Sequence, residues 1–74
     1  MSNTTHGVIY GINGPVVKVR GTHPFQMLEM VRVGNEQLIG EVIRVLDTET
    51  IVQVYENTTG LKPGEPVVST GKPL

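Results

Sequence analysis

Residues 37–46 read QLIGEVIRVL, and this run is the one segment that a helix and a strand can both claim. About ten residues is long for a strand in a small sheet. Composition separates the two. Ile39, Val42, Ile43 and Val45 are β-branched, and such side chains lose rotamer freedom in a helix while fitting a pleated surface. Gly40 interrupts any helical period, so the run is read as a strand. A glycine inside a strand marks a bulge or a close backbone approach, and small barrels need such bends to turn their corners.

With that segment extended, no sustained helical period with caps is left in the chain. Nine glycines and five prolines punctuate short β-branched runs at regular intervals, the pattern of an all-β barrel or sandwich. GVIYGI at 7–12 opens the series, with Val8, Tyr10 and Ile12 expected on one face. Asn13-Gly14-Pro15 is a turn, since Asn-Gly is a strong hairpin signal and Pro15 fits only a turn or the start of a strand. VVKVR follows with Val17 and Val19 inward and Lys18 and Arg20 outward. GTHPFQM is a loop, LEMVRV a third strand, and Gly34-Asn35-Glu36 the turn that closes it. Beyond the central run, Asp47-Thr48-Glu49 is a polar turn. TIVQVY alternates Val52 and Val54 against Ile51, Gln53 and Tyr55. ENTTGLKPGEP is a loop, and VVS at 67–69 a short final strand. About six strands joined by short turns make a compact barrel.

The chain has 74 residues, room for one small domain and one core. It has no cysteine, so apolar burial must stabilise it without disulfides or thiolate metal sites. Six basic and seven acidic side chains balance, without the basic footprint that nucleic-acid binding leaves. No apolar run approaches the ~20 residues that cross a bilayer as a helix, and the first residues lack the features of a signal peptide. These features suggest a cytosolic domain without direct membrane insertion.

Few residues invite a chemical role. His6 and His23 lack the converging ligands a metal needs and are expected to face solvent in loops. Glu41 interrupts an apolar run. It is either an acid or base in a cleft, its pKa raised by burial, or an outward strand residue, or a partner for Arg44 or Arg32. Asn3-Thr4-Thr5 and Asn57-Thr58-Thr59 match the glycosylation sequon, but the second is better read as turn chemistry, side-chain oxygens bonding backbone N–H groups. Lys18, Arg20, Arg32 and Arg44 form a basic face or simply solvate outward strand faces. Three aromatics, Tyr10, Phe25 and Tyr55, are few for stacking on single-stranded nucleic acid. HPFQMLEM groups Phe25, Met27, Leu28 and Met30 beside a proline. They are either an exposed apolar patch for a protein partner or a plug for the open end of a barrel.

Ser69-Thr70-Gly71-Lys72 evokes a phosphate-binding loop, G-x-x-x-x-G-K-[ST], and fails it. The position five before Gly71 is Pro66, and the residue after Lys72 is Pro73, which has no N–H and cannot continue into a helix interior. It is read as an exit from the barrel, with LKPGEPV at 61–67 shaping the turn into the last strand. No catalytic constellation emerges.

The ordered phrases INGPVV (12–17), MVRVGNEQLIGEVIRV (30–45) and IVQVYENTTGLKPGEPVVSTGKPL (51–74) closely resemble the N-terminus of the catalytic A subunit of V-type and archaeal-type rotary ATPases. The resemblance runs from about Gly7 to Leu74. The corresponding F-type subunits begin similarly, but LIGE and QVYE together favour the A subunit. The resemblance implies an all-β fold, a small closed six-stranded β-barrel at the top of the subunit, occupying residues 1–74 as a single domain. It implies a crown of such barrels holding a ring of three A and three B subunits, peripheral to the membrane on the cytoplasmic side. The parent would couple ATP hydrolysis or synthesis to proton or sodium transport, with ATP and magnesium bound in domains that follow.

The family's catalytic Lys, Thr and Glu have no positions here. Glu41 in LIGEVI matches a barrel motif, not the catalytic glutamate. The loop RGTHPFQM departs from the family's more usual acidic or small-residue loop, and MLE replaces its MYE phrase. No cofactor and no catalysis are therefore expected of this segment, and on its own it is expected to be a monomer. Its partners would be neighbouring B subunits, met through Phe25, Met27, Leu28 and Met30 and through the proline loop at Leu61, Pro63 and Glu65. The rival is a free-standing OB-like or SH3-like barrel that binds nucleic acid or a peptide, marked by a basic surface and salt-steep binding.

Overall fold

A computed structural model describes residues 6–21 and 24–74. Six strands form in order: β1 (Gly7–Asn13), β2 (Val16–Arg20), β3 (Glu29–Val33), β4 (Leu38–Val45), β5 (Thr50–Val54) and β6 (Pro66–Pro73). They close into one barrel in the order β1-β2-β5-β4-β3-β6, every neighbouring pair antiparallel. The ambiguous run at 37–46 is a strand, pairing with β3 on one side and β5 on the other. Closure leaves no long free edge to template pairing with another chain.

The barrel is filled by one alternate face of its strands. Ile9, Val17, Val19, Val31, Val33, Val42, Val52 and Val67 are essentially inaccessible. Stiff β-branched side chains dominate this list, as suits a narrow interior that must be packed without voids. Gly40 belongs to the same face. A Cβ there would lie 2.8 Å from Val52 Cγ1 and 3.1 Å from Val33 Cγ2. The glycine therefore marks a close approach, and the bulge in β4 falls further on, between Val42 and Arg44.

The expected common face of Val8, Tyr10 and Ile12 is corrected. Ile9, not Val8, enters the core, and Val8 is exposed. The cause is a bulge: Ile9 pairs with Val19, while Gly11 pairs with the next residue back, Lys18. The extra residue, Tyr10, shifts the alternation by one, so Ile9 points inward and Ile12, past the bulge, packs against the same core. Tyr10 is left outside, with the Arg20 guanidinium 4.0 Å from its ring centroid, a cation–π contact.

The last strand is also longer than VVS. It runs to Pro73, which pairs with Glu29 of β3. Ser69 to Lys72 are thus strand residues and not an exit from the barrel. Thr70 Oγ1 donates to the Met30 carbonyl at 2.6 Å. The turns read from sequence are present. Gly34, at φ 78, opens the β3–β4 turn, closed by Gln37 N–H to Gly34 O at 3.0 Å. Leu46 N–H to Glu49 O, at 2.9 Å, closes the polar turn at 47–49.

Candidate functional site

The two loops nominated for partner contact fold back on their own barrel. Phe25 is 5 % exposed, and its ring reaches the Gly7 backbone, where a Cβ would lie 3.1 Å from Phe25 Cε2 and 2.6 Å from Val19 Cγ1. It is a core residue that plugs the barrel, the second of the two readings open for Phe25 from sequence. Leu61 is 7 % exposed and lies under Gly34, whose missing Cβ makes room for it. Glu65 is half-buried, and its Oε1 accepts the Asn35 N–H at 3.1 Å. Met27, Leu28 and Pro63 are exposed, and Met30 is intermediate.

Sequence reasoning missed two further carboxylates that, like Glu65, cap backbone N–H groups. Glu56 Oε2 accepts from Ile39 N–H at 2.7 Å. Glu29 is 7 % exposed. Its two oxygens accept from Gln26 N–H at 3.0 Å and from Gly71 N–H at 3.1 Å. Glu29 therefore ties the 24–28 loop to β6. Its signal lay in the alternation of EMVRV, since Glu29 shares the inward phase of Val31 and Val33. Thr58 Oγ1 donates to the Gly14 carbonyl at 2.8 Å, strapping the proline loop to the β1–β2 turn. Asn57 Oδ1 accepts from Thr59 N–H at 2.9 Å, the expected turn chemistry.

The remaining candidates are accounted for within the fold. Glu41 takes the outward strand position, one of its readings from sequence, and its Oε1 accepts from Tyr55 OH at 2.7 Å. That hydrogen bond, then desolvation and the nearby carboxylate charge, raise the Tyr55 pKa above 10.0. The neutral phenol is favoured in the folded chain. The contribution is present below the ordinary tyrosine value and lost as pH rises through the raised one. Spectrophotometric titration of the chain, differenced against Tyr55→Phe, should show a midpoint above 10.0 that falls when Glu41 is replaced by Gln. An unmoved midpoint in Glu41→Gln would show that the bond does not form.

His6 is half-buried, not a solvent-facing loop residue: its Nδ1 accepts from Ser69 N–H at 2.8 Å, and its own backbone N–H donates to Val67 O at 3.2 Å. His23 and Asn3-Thr4-Thr5 lie outside the described residues. Lys18 and Arg44 flank Ile51 in one outward row, whereas Arg20 stacks on Tyr10 and Arg32 donates to Gln37 O at 3.4 Å. The described residues contain no cluster of metal-ligating side chains and no helix long and apolar enough to cross a membrane. A phosphate cradle needs a loop leading into a helix; Ser69 to Lys72 instead lie in β6.

Residues 9–71 match the model of the ATP synthase alpha/beta family, beta-barrel domain. The chain belongs to that family. The barrel domain is 57% identical over 68 residues to the A subunit of the A-type ATP synthase of Hyperthermus butylicus, covering 92% of this chain and 11% of that relative. It is 56% identical over 68 residues to the corresponding protein of Methanosarcina barkeri, covering 92% of this chain and 12% of the relative. Against the V-type ATP synthase alpha chain 2 of Clostridium tetani it is 54% identical over 68 residues, with the same 92% and 12% coverage. The resemblance to the barrel of the V/A-type A subunit is thereby established, and the barrel domain spans about a tenth of its relatives' length. Among solved structures, the assembled ATPase EscN of the enteropathogenic E. coli type III secretion system superposes with a TM-score of 0.80. That match has 22% identity and covers 90% of this chain and 16% of that one. At that identity the likeness is one of fold.

Proposed function

We propose that the barrel is the assembly domain of a rotary ATPase A subunit, packing beside neighbouring B subunits in a ring and performing no catalysis itself. One observation carries this: a chain 57% identical to the A subunit of an A-type ATP synthase forms a complete barrel whose STGK phrase is used as strand. Nucleotide and magnesium would be held by other domains of the parent, which would couple ATP hydrolysis or synthesis to proton or sodium transport. Such a parent would lie at the cytoplasmic face of the membrane through its complex.

A closed barrel suits a crown. With its strand edges paired internally, it meets neighbours through side chains, and the ring closes without runaway strand addition. Phe25 and Leu61 support such contacts from within, by holding the loops in place. Met27, Leu28, Met30 and Pro63 retain surface for contacts beyond the barrel, and Glu65 positions the Asn35 turn.

Two measurements test the proposal. The 74-residue chain should show no saturable ATP binding or turnover, and saturable hydrolysis by it would refute a purely assembling role. An A subunit lacking residues 1–74 should lose most of its hexamer with B subunits by native mass spectrometry. Undiminished hexamer formation would remove the assembly function.

A further inference from the structure

Arg32 lies on the outward face of β3, paired with Ile39 of β4 on one side and Val68 of β6 on the other. It is half-buried. Beside it is a surface cavity of about 270 Å³, lined by Arg32, Gly34, Asn35, Gln37, Pro66 and Val68. A guanidinium carries five N–H donors. Among the described residues Arg32 uses one of them, from Nη1 to Gln37 O at a long 3.4 Å. The carboxylates of the adjoining elements are engaged elsewhere. Glu41 accepts from Tyr55 OH, Glu56 from Ile39 N–H and Glu65 from Asn35 N–H, while Glu36 reaches toward Gly60. A permanent positive charge is thus half-desolvated with most of its donors unused. The turn beside it is strained. Gln37 is held at φ 58, a region that residues other than glycine seldom occupy, and such strain concentrates at ligand clamps. Its carbonyl is the one that receives Arg32, so the strained residue and the cation belong to one arrangement.

We propose that this cavity is a binding site for a carboxylate on a short hydrocarbon stem, with Arg32 as its anchor. The planar guanidinium matches a carboxylate through two parallel N–H···O bonds. Pro66 and Val68 offer the stem an apolar wall, and the exposed amides of Asn35 and Gln37 can donate at the rim. The charge balance selects a carboxylate over a phosphate. A phosphate, with nearly two negative charges, would meet a single arginine and the neighbouring carboxylate of Glu65 on Asn35. Ligand pockets usually measure about 300–1,000 Å³, so this smaller space suits one small acid or one acidic side chain. A free short-chain acid and an Asp or Glu of another polypeptide present the same group. The site is built from one barrel alone and is independent of the assembly role.

Sodium butyrate titrated into the isotope-labelled 74-residue chain, with ionic strength held constant by sodium chloride, tests the site by NMR. The Arg32 Nε–H, the Asn35 and Gln37 side-chain amides and the Val68 methyls should shift along one saturable curve. Its dissociation constant should be about 1–30 mM, the range open to a ligand of about six non-hydrogen atoms. Neutral butyramide should leave these signals in place. Arg32→Gln, its fold verified by unmoved Val31 and Val52 amides, should abolish saturation. Arg32→Lys keeps the charge but loses the planar fork, and should bind at least about threefold more weakly. N-acetylglutamate α-amide, an acidic side chain in a peptide frame, separates the two sources. Binding at least about tenfold tighter than butyrate supports a protein side chain as the ligand, and equal or weaker binding supports a free acid. Shifts that never saturate, that butyramide reproduces, or that persist unchanged in Arg32→Gln would overturn the site.

Discussion

Replacing Phe25 by alanine is expected to lower the free energy of unfolding by about 3–5 kcal/mol, the usual cost of emptying a buried aromatic site. A domain of this length has roughly 4–11 kcal/mol in total, so the variant should be marginal or partly unfolded at room temperature. The size follows from the site. Phe25 is 5 % exposed and its ring packs where Gly7 lacks a side chain. Urea unfolding followed by circular dichroism measures the change, and a loss below about 1 kcal/mol would show that the loop collapses to refill the site. Phe25→Asp would be worse still, since it adds an unpaired buried charge. Any assembly defect in that variant would report unfolding and say nothing about a partner surface.

The second large effect is expected at Glu29. Its alanine variant strips acceptors from the Gln26 and Gly71 N–H groups at once. Hydrogen bonds to charged groups contribute about 1.5–3 kcal/mol each, and two on one side chain are not additive, so the expected loss is about 2–4 kcal/mol. Glu29→Gln keeps one acceptor oxygen but turns an amide NH2 toward the other donor, so it should recover only part of the loss. Hydrogen exchange separates a local from a global cause: the Gln26 and Gly71 amides should accelerate beyond the change seen at Val31 and Val52. A stability change under about 0.5 kcal/mol would mean that water replaces the carboxylate without cost.

These two sites show where sequence reasoning reached and where it stopped. Strand identity was legible because Val17, Val19, Val52 and Val54 alternate with polar residues, and the period alone assigns their inward face. The shared face of Val8, Tyr10 and Ile12 in β1 was misread because a bulge carries no strong mark in GVIYGI. Tyr10 becomes the extra residue only when Ile9 and Gly11 meet consecutive residues of β2. The proline loop and the Phe25 loop were legible as loops. Their burial was not, because a loop's apolar residue looks the same whether it covers its own barrel or awaits another protein.

The chain's own residues determined an all-β domain, its strands, most of its turns and the failure of STGK as a phosphate cradle. Local periodicity and proline chemistry act over a few residues, and those rules suffice for such features. Its ordered phrases also carried the family. Only the tertiary structure decided which strands meet, that β6 continues to Pro73, and that Glu29, Glu56 and Glu65 are turned onto backbone N–H groups. It alone gathered Arg32, Gln37 and Val68 around one cavity. These are contacts between residues far apart in the chain, set by barrel closure and register, and no short-range pattern encodes them.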